Sequence, residues 1–361
     1  MSAPTQQSDA TPASDPQAVD LDAQRSLKGL PFWANPRFGL LVVIAALVVV
    51  FSSLRSSFLD TGLTLVPMQQ DLSVFLVVGL AQLSVLSLGH MNLAVPRMAA
   101  ISAFAMGWCY QHLSMPLALG LLVGLVVGAA VGALAGWIIT ATGVNSFIVT
   151  LALDFALVGL VSLLYSHVGD GVAFPVHPAG MTTLRNDTFS DYCTGNVCGP
   201  PVPLIVLFAL AAAVLVAVLF RLSRIGREIL MTGSNLTAAR LSGIPTSRRV
   251  IQAHALSGAL AALAGFLLAI NSGAFSADIG NSFLLPSFLG PVLGGTLLSG
   301  GAVSVFGTLL GATLTEVIQT GLNLLNFSVQ DLNIYIGLVL LVALSLDRVR
   351  HVLAERRGTR A

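Results

Sequence analysis

Lysine is almost missing from this chain: Lys28 is the only one in 361 residues, and charged residues of both signs together make up 9%. No GxxxxGK[ST] segment occurs, so the polypeptide has no P-loop with which to cradle the phosphates of ATP. HExxH is absent, and the serines lack a GxSxG setting, which removes the usual zinc-peptidase and serine-hydrolase arrangements. No catalytic assembly emerges. The net charge of +1 gives no footprint for nucleic acid, because the basic residues lie beside apolar segments, where membrane topology places them.

Apolar sequence is what the chain has in abundance. Hydrophobic residues make up 55%, glycine occurs 35 times, and the mean hydropathy is +0.87. These values point to an all-α, polytopic helical membrane protein. Residues 1–30 are polar and lack the basic start and apolar run of a signal peptide, so they read as a disordered cytoplasmic tail. The clearest spans are Phe38–Phe51 with the SSL that follows, Leu72–Leu88, Leu117–Ile139, Phe147–Tyr165, Leu204–Phe220 and Val250–Ile270. Met98–Cys109, Phe283–Leu298, Val303–Thr315 extended past Glu316, and Leu332–Leu346 complete a count of ten. Roughly 20 residues are needed to cross about 30 Å of hydrocarbon. Eight crossings, with the second and third spans forming a re-entrant pair, keep the same parity.

Charge gives the orientation. Arg221–Arg249 holds six basic residues against one acid, and Asp347–Arg360 holds five arginines, so both are expected in the cytoplasm. Ser166–Pro203, with one arginine and three aspartates, suits the periplasmic side. Ten crossings with both termini inside satisfy all three. Cys193 and Cys198 then fall in an oxidising compartment, where a disulfide between them is expected, while Cys109 reads as a small buried filler.

Two further patterns bear on packing and transport. Gly120, Gly124, Gly128, Gly132 and Gly136 leave one helix face without side chains, for tight packing inside the subunit or for an interface that slides. In LSLGHMNLAVPRM, Gly89 and Pro96 interrupt a helix, and His90 and Asn92 either line a solute route or stabilise the break. Arg97 is expected to snorkel or pair at the cytoplasmic edge. Asn271, Ser272, Gln319 and Asn323 are further uncharged candidates for a polar solute. Asp154 and Glu316 are either satisfied within the bundle or mark proton or cation coupling. No metal site is expected, because neither His167 nor His177 has ligand spacing to the outer-loop cysteines.

GREILMTGSNLTAARLSGIPTSRRVIQAHALSGALAALAGFL, from Gly226, closely resembles the cytoplasmic region and following helix of permease subunits of bacterial ribose-type ABC importers. Gly226, Arg227, Gly233, Asn235, Ala238, Ala239, Ser242, Gly243 and Ile244 match, followed by Ser257, Gly258, Leu260, Ala261, Ala264 and Gly265. LGGTLLSGG at Leu293–Gly301 and FIVTLAL at Phe147 match as well, and the resemblance runs roughly from Leu40 to Arg350. The stretch from Gly89 to Pro96 departs from the ribose-type GGIDLSVG: Asn92 stands for Asp, Ala94 for Ser and Pro96 for the last Gly. An Asn there is closer to the related branched-chain amino acid permeases.

The resemblance implies inverted repeats of spans two to five and seven to ten, within a transmembrane permease domain at 31–350. That domain includes a periplasmic loop at 166–203 and a cytoplasmic coupling segment at 221–249; 351–361 is a cytoplasmic tail. It further implies a non-catalytic subunit in the bacterial inner membrane, paired with an identical or homologous permease. Two cytoplasmic ABC ATPase domains using ATP and Mg, and a periplasmic solute-binding protein, complete the machine. Gly226, Arg227, Gly233, Asn235, Ala238, Ala239, Arg240 and Gly243 are then candidates for ATPase coupling, with Gly233 and Gly243 ending helical pieces and Asn235 capping one. Phe147 joins the pathway candidates. The expected cargo is a monosaccharide or related neutral polar solute; the alternatives are branched-chain amino acids, nucleosides or purines. The rival mechanisms are an ion-coupled secondary transporter and an ATP-independent membrane scaffold.

Overall fold

The structure is a computed structural model that describes residues 36–168, 171, 173–175, 178–192, 201–281 and 283–327, with positions 334, 337, 338 and 341 beyond. Cys193, Cys198, both tails and most of the tenth expected span lie outside the described residues. Its helices are α1 (Pro36–Leu54), α2 (Val66–Leu86), α3 (Val95–Leu113), α4 (Leu117–Thr142), α5 (Ser146–His167) and α6 (Met181–Asn186). They continue with α7 (Ile205–Leu222), α8 (Arg224–Ser234), α9 (Leu236–Leu241), α10 (Thr246–Ser272), α11 (Leu284–Leu293) and α12 (Val305–Leu324). Among the described residues the only strands are two-residue pieces, β1 (Ala173–Phe174) and β2 (Phe275–Ser276), paired antiparallel.

Six described helical stretches are long and apolar enough to cross a membrane: Thr61–Leu86, α4, α5, α7, α10 and α12. The protein is therefore a multi-pass helical membrane protein. α10 is its central post, with 72% of its most apolar stretch buried, against 22% for α4 and α5 and 28% for α7. One expected span is corrected. Phe283–Leu298 is not one continuous helix: α11 stops after ten residues, about 15 Å at 1.5 Å per residue, and the turns after it carry the chain on to Ser87 and Gly233. Pro291 removes a helical donor near its end, and Gly295, Gly300 and Gly301 take positive φ in the turns that follow.

Directions follow from contacts at the two ends. Asn271 at the end of α10 hydrogen-bonds Asp71 near the start of α2 (2.6 Å), while His254 near the start of α10 meets His90 beyond the end of α2 (3.2 Å). The two helices are thus antiparallel. α3 runs with α10, and α4 runs against it. At the β1–β2 end an aromatic cluster of Phe104, Tyr165, Phe174, Tyr110 and Phe275 closes the core, and Tyr165 donates to the Phe275 carbonyl (3.1 Å).

The glycine stripe resolves into packing inside the subunit. Gly120 and Gly124 make room for the Tyr110 ring and the Met106 side chain of α3; Gly128, Gly132 and Gly136 receive the α10 backbone at Gly258, His254 and Ile251. Close backbone approach lets dispersion hold the two helices where no hydrophobic force acts between apolar spans. Gly132→Ala places a methyl group on the His254 carbonyl oxygen, and the expected loss is about 1–3 kcal/mol. Gly159→Ala, with nothing within 4 Å of the added carbon, is expected to stay within about 0.5 kcal/mol. Thermal unfolding of both variants in detergent checks the contrast.

Candidate functional site

The interrupted helix between α2 and α3 is held by side chains from three other places in the bundle. Gly89 turns the chain at φ 73°, a conformation that other residues rarely adopt. Beyond it, Met91 N donates to Ser146 Oγ (3.3 Å) and Leu93 N donates to Thr150 Oγ1 (3.1 Å), both on α5. With its amide placed by its hydrogen bonds, Gln82 donates to the Asn92 carbonyl (3.0 Å) and accepts from the Asn92 N–H (3.2 Å). The Asn92 side chain accepts from Ala94 N (3.0 Å) and donates to Ser257 Oγ on α10 (3.1 Å). Asn92, Gln82 and Ser257 are fully buried. Asn92 therefore fastens the break. His90 is half-buried and carries the contact to His254.

At the same end of the bundle stand α8 and α9. Ser223 caps α8 through Gly226 N (2.9 Å), and Asn235 caps α9 through Ala238 N (2.9 Å), the role its sequence position suggests. Gly243 follows α9 with φ 76°. Gly233 stands one residue before the end of α8, where an added Cβ would fall on the Ser87 carbonyl oxygen and 2.9 Å from Gly301 N. Gly301 N in turn donates to Ser87 O (2.9 Å), and an added Cβ on Gly300 would lie 2.5 Å from Gly89 N. The last turn of α8 therefore rests on both interrupted regions, 87–94 and 294–304.

Four of the six arginines of this end have side-chain contacts that divide them by role. Glu228 on α8 accepts from Arg224 (2.7 Å) and from Arg249 at the start of α10 (2.7 Å), forming a clamp between the two helices. Arg227 donates to the Leu222 carbonyl (3.0 Å), and Arg240 approaches Thr246 Oγ1 (3.4 Å). Ala239 is buried and Ala238 is exposed. Leu236 and Leu241 project from α9, and Leu241 is 86% exposed.

The remaining candidates are scattered. Ser272 Oγ bonds its own helix at Leu268 O (2.9 Å), and Gln319 and Asn323 sit on the last turns of α12. Phe147 is exposed at the start of α5. Glu316 accepts from Thr320 (2.7 Å) in the interior. Arg97 departs from its expected edge position: it pairs with Asp154 on α5 (Nε to Oδ1 3.7 Å) and donates to Asn281. Sequence reasoning missed Gln82, Ser146, Thr150 and His254. A polar residue in the middle of an apolar helix, as at Gln82, was the one available signal. Among the described residues no three His, Cys, Asp or Glu side chains gather so as to hold a metal ion.

The family described as branched-chain amino acid transport system / permease component matches residues 70–344. The chain belongs to this family. Among its relatives, the probable ABC transporter permease protein YphD of Escherichia coli is 32% identical over 323 residues, covering 90% of this chain and 91% of that protein. The autoinducer 2 import system permease protein LsrD of Salmonella paratyphi B is 28% identical over 338 residues, covering 89% and 96%. The protein of the same name from Yersinia enterocolitica is 28% identical over 337 residues, covering 90% and 98%. No solved structure matches. The permease is thus the transport component of an ABC transporter, not a catalyst, and the family implies ATPase and solute-binding partners.

In this permease the two arginines hold the Glu228 carboxyl below its usual value of 4.5, through their hydrogen bonds. A carboxyl depressed by folding stabilises the fold fully above the unfolded value, and that contribution is lost as pH falls through the folded value. The wild type and Glu228→Gln are therefore expected to differ in melting temperature by a constant amount near neutrality, and the difference is expected to shrink only in acid below 4.5, as pH falls through the depressed folded value. Melting curves across that range test the clamp, and a gap that persists in acid counts against it.

Proposed function

We propose that the permease forms one half of the pathway of an ATP-driven importer that carries a monosaccharide or related neutral polar solute across the bacterial inner membrane. Its partners are an identical or homologous permease, two cytoplasmic ATPase domains that use ATP and Mg, and a periplasmic solute-binding protein. The excess of arginine in 221–249 and 347–360 favours a cytoplasmic position for both segments and for both termini.

The observation that carries this reading is the seat of α8 on both interrupted regions. A partner that moves α8 presses through Gly233 on Ser87 and Gly301. The Glu228 clamp makes the start of α10 follow. Closure of the ATPases on nucleotide then becomes a shift of both breaks, which biases the pathway between its outward and inward openings. Leu236 and Leu241 offer the apolar contact that an ATPase cleft requires, with Ala238 and Arg240 beside them.

The names of the relatives differ on cargo: one is an autoinducer 2 import permease, and the family description speaks of branched-chain amino acids. The ribose-type pattern from Gly226 to Leu267 is what favours a hydroxylated solute, and specificity for hydroxyls rests on polar groups that the wrong ligand would leave unpaired. Coupling to an ion gradient is the weaker reading, since Asp154 is paired with Arg97, and Glu316, which bonds Thr320 through one oxygen and leaves the other unpartnered, is 2% exposed and has no second acid beside it on α12.

Reconstitution with the partner ATPase and binding protein tests the proposal. ATP-dependent uptake of D-ribose exceeding that of L-leucine and inosine is expected, and gradient-driven uptake without the ATPase would sink it. Leu241→Asp, at an exposed position, is expected to leave membrane insertion intact while lowering both ATPase co-purification and uptake at least tenfold. Normal uptake by that variant contradicts the docking assignment.

A further inference from the structure

Four polar side chains meet on an outer face of the bundle: Arg97 of α3, Asp154 of α5, and Asp278 and Asn281 of the loop between β2 and α11. Arg97 and Asp154 lie 3.7 Å apart, each with 22% of its side chain exposed. Asn281 accepts from the Arg97 guanidinium and donates to Asp278 (2.9 Å), and both of these loop residues are exposed. The loop is pinned against α3, because an added Cβ at Gly280 would lie 2.6 Å from the Pro96 carbonyl oxygen.

Depth along the helices makes this group informative. Asp154 lies eight residues into α5, about 12 Å from its start in a helix of about 33 Å. Charges there cannot face hydrocarbon at acceptable cost. The part of α5 suited to lipid lies elsewhere on its circumference, at Ile148 and Phe155, which are 59% and 69% exposed. Phe147 lies seven residues before Asp154, on the same side of the helix. α5 thus presents an apolar strip and, beside it, a strip on which Phe147 and Val158, 45% and 39% exposed, bracket the ion pair.

We infer that the Arg97–Asp154 pair and Asn281 line the water-filled route and hydrogen-bond an uncharged, polyhydroxylated solute during passage. The pair has no net charge, so a free anion or cation gains no counter-ion from it. At 3.7 Å the two charges are not directly hydrogen-bonded; Arg97 Nε is buried without a partner, so a solute would meet the exposed end of the guanidinium, where Asn281 already sits. The guanidinium can still donate and the carboxylate can still accept, and a hydroxyl group does both. The inference rests on the importer reading above and names where its solute is handled.

Two measurements on the complete complex in proteoliposomes test it, the first without reference to cargo. Asn281→Cys and, as control, Val214→Cys on the outer face of α7 are treated with the water-soluble reagent trimethylammonium-ethyl methanethiosulfonate, and the adduct is read by peptide mass spectrometry. Position 281 is expected to react at least tenfold faster than 214, with at least a threefold change between nucleotide-free and nucleotide-trapped complexes. Reaction at 281 as slow as at 214 places the cluster under lipid or a second copy and overturns the route. Fast reaction unaffected by nucleotide places it outside the gated path and also overturns it.

The second measurement is uptake of D-ribose. Arg97→Gln, Asp154→Asn and the exposed-site variant Asn281→Ala are each expected to raise KM at least tenfold while ATP hydrolysis persists, with Arg97→Lys partly restoring it. An unchanged KM in Asn281→Ala, or a rise seen only for L-leucine, overturns the ligand class. Wild-type uptake of L-leucine and not D-ribose overturns the cargo reading and the ligand class together, while the thiol result still decides the route.

Discussion

A helix interrupted inside an apolar bundle must satisfy its freed N–H and C=O groups from neighbouring side chains, because no water is there to do so. The stretch from Gly89 to Ala94 meets this demand with Gln82, Ser146, Thr150 and its own Asn92. Apart from Asn92, which lies in the break itself, each donor or acceptor sits on a helix that also carries the packing. α2 supplies Gln82, α5 supplies Ser146 and Thr150, and α10 holds the Asn92 side chain through Ser257. Satisfying one loop therefore fixes how three helices stand around α3. Removing any one of these groups would leave a buried backbone atom or amide unpaired, at about 1–3 kcal/mol.

Absence of side chains does the complementary work. Gly128, Gly132 and Gly136 let α4 lie against the α10 backbone, and Gly233 lets α8 reach the breaks themselves. Such contacts are stiff: a backbone seated on a backbone has no side-chain torsions to absorb a displacement. The same property that packs the bundle makes α8 a rigid lever. The Glu228 clamp completes it by binding the lever to the start of the central helix, so α8 and α10 respond together.

Local signals in the sequence were read with fair accuracy, and distant pairings were not. Run length marked α4, α5, α7 and α10 within a few residues, and Asn235 announced its cap. Phe283–Leu298 looked like a span because apolar residues continue through the LGGTLLSGG turns, whereas Gly295, at positive φ just past Leu293, ends the helix. Arg97 was assigned to an edge because an arginine without a visible partner snorkels. Its partners stand 57 and 184 residues away in the chain, at Asp154 and Asn281, where no local pattern could show them. At Gly233 a glycine beside a polar run marks the helix end to within a residue, but only the fold reveals the backbone of Ser87 opposite it.

How completely each polar group is satisfied then separates what holds the bundle from what handles the solute. Asn92 looked like a pathway residue by type, yet its amide is fully engaged and fully buried, which leaves nothing to offer a passing molecule. Arg97 and Asp154 looked like topology or coupling charges, yet they are partly exposed, wider apart than a hydrogen bond, and incompletely bonded. A transport route needs groups that bind well enough to admit a solute and weakly enough to release it. An ion pair whose members already neutralise each other meets that requirement better than an isolated charge, and better than a saturated amide. The interior network is therefore the frame, and the half-exposed pair on α3 and α5 is the surface that the frame holds toward the route.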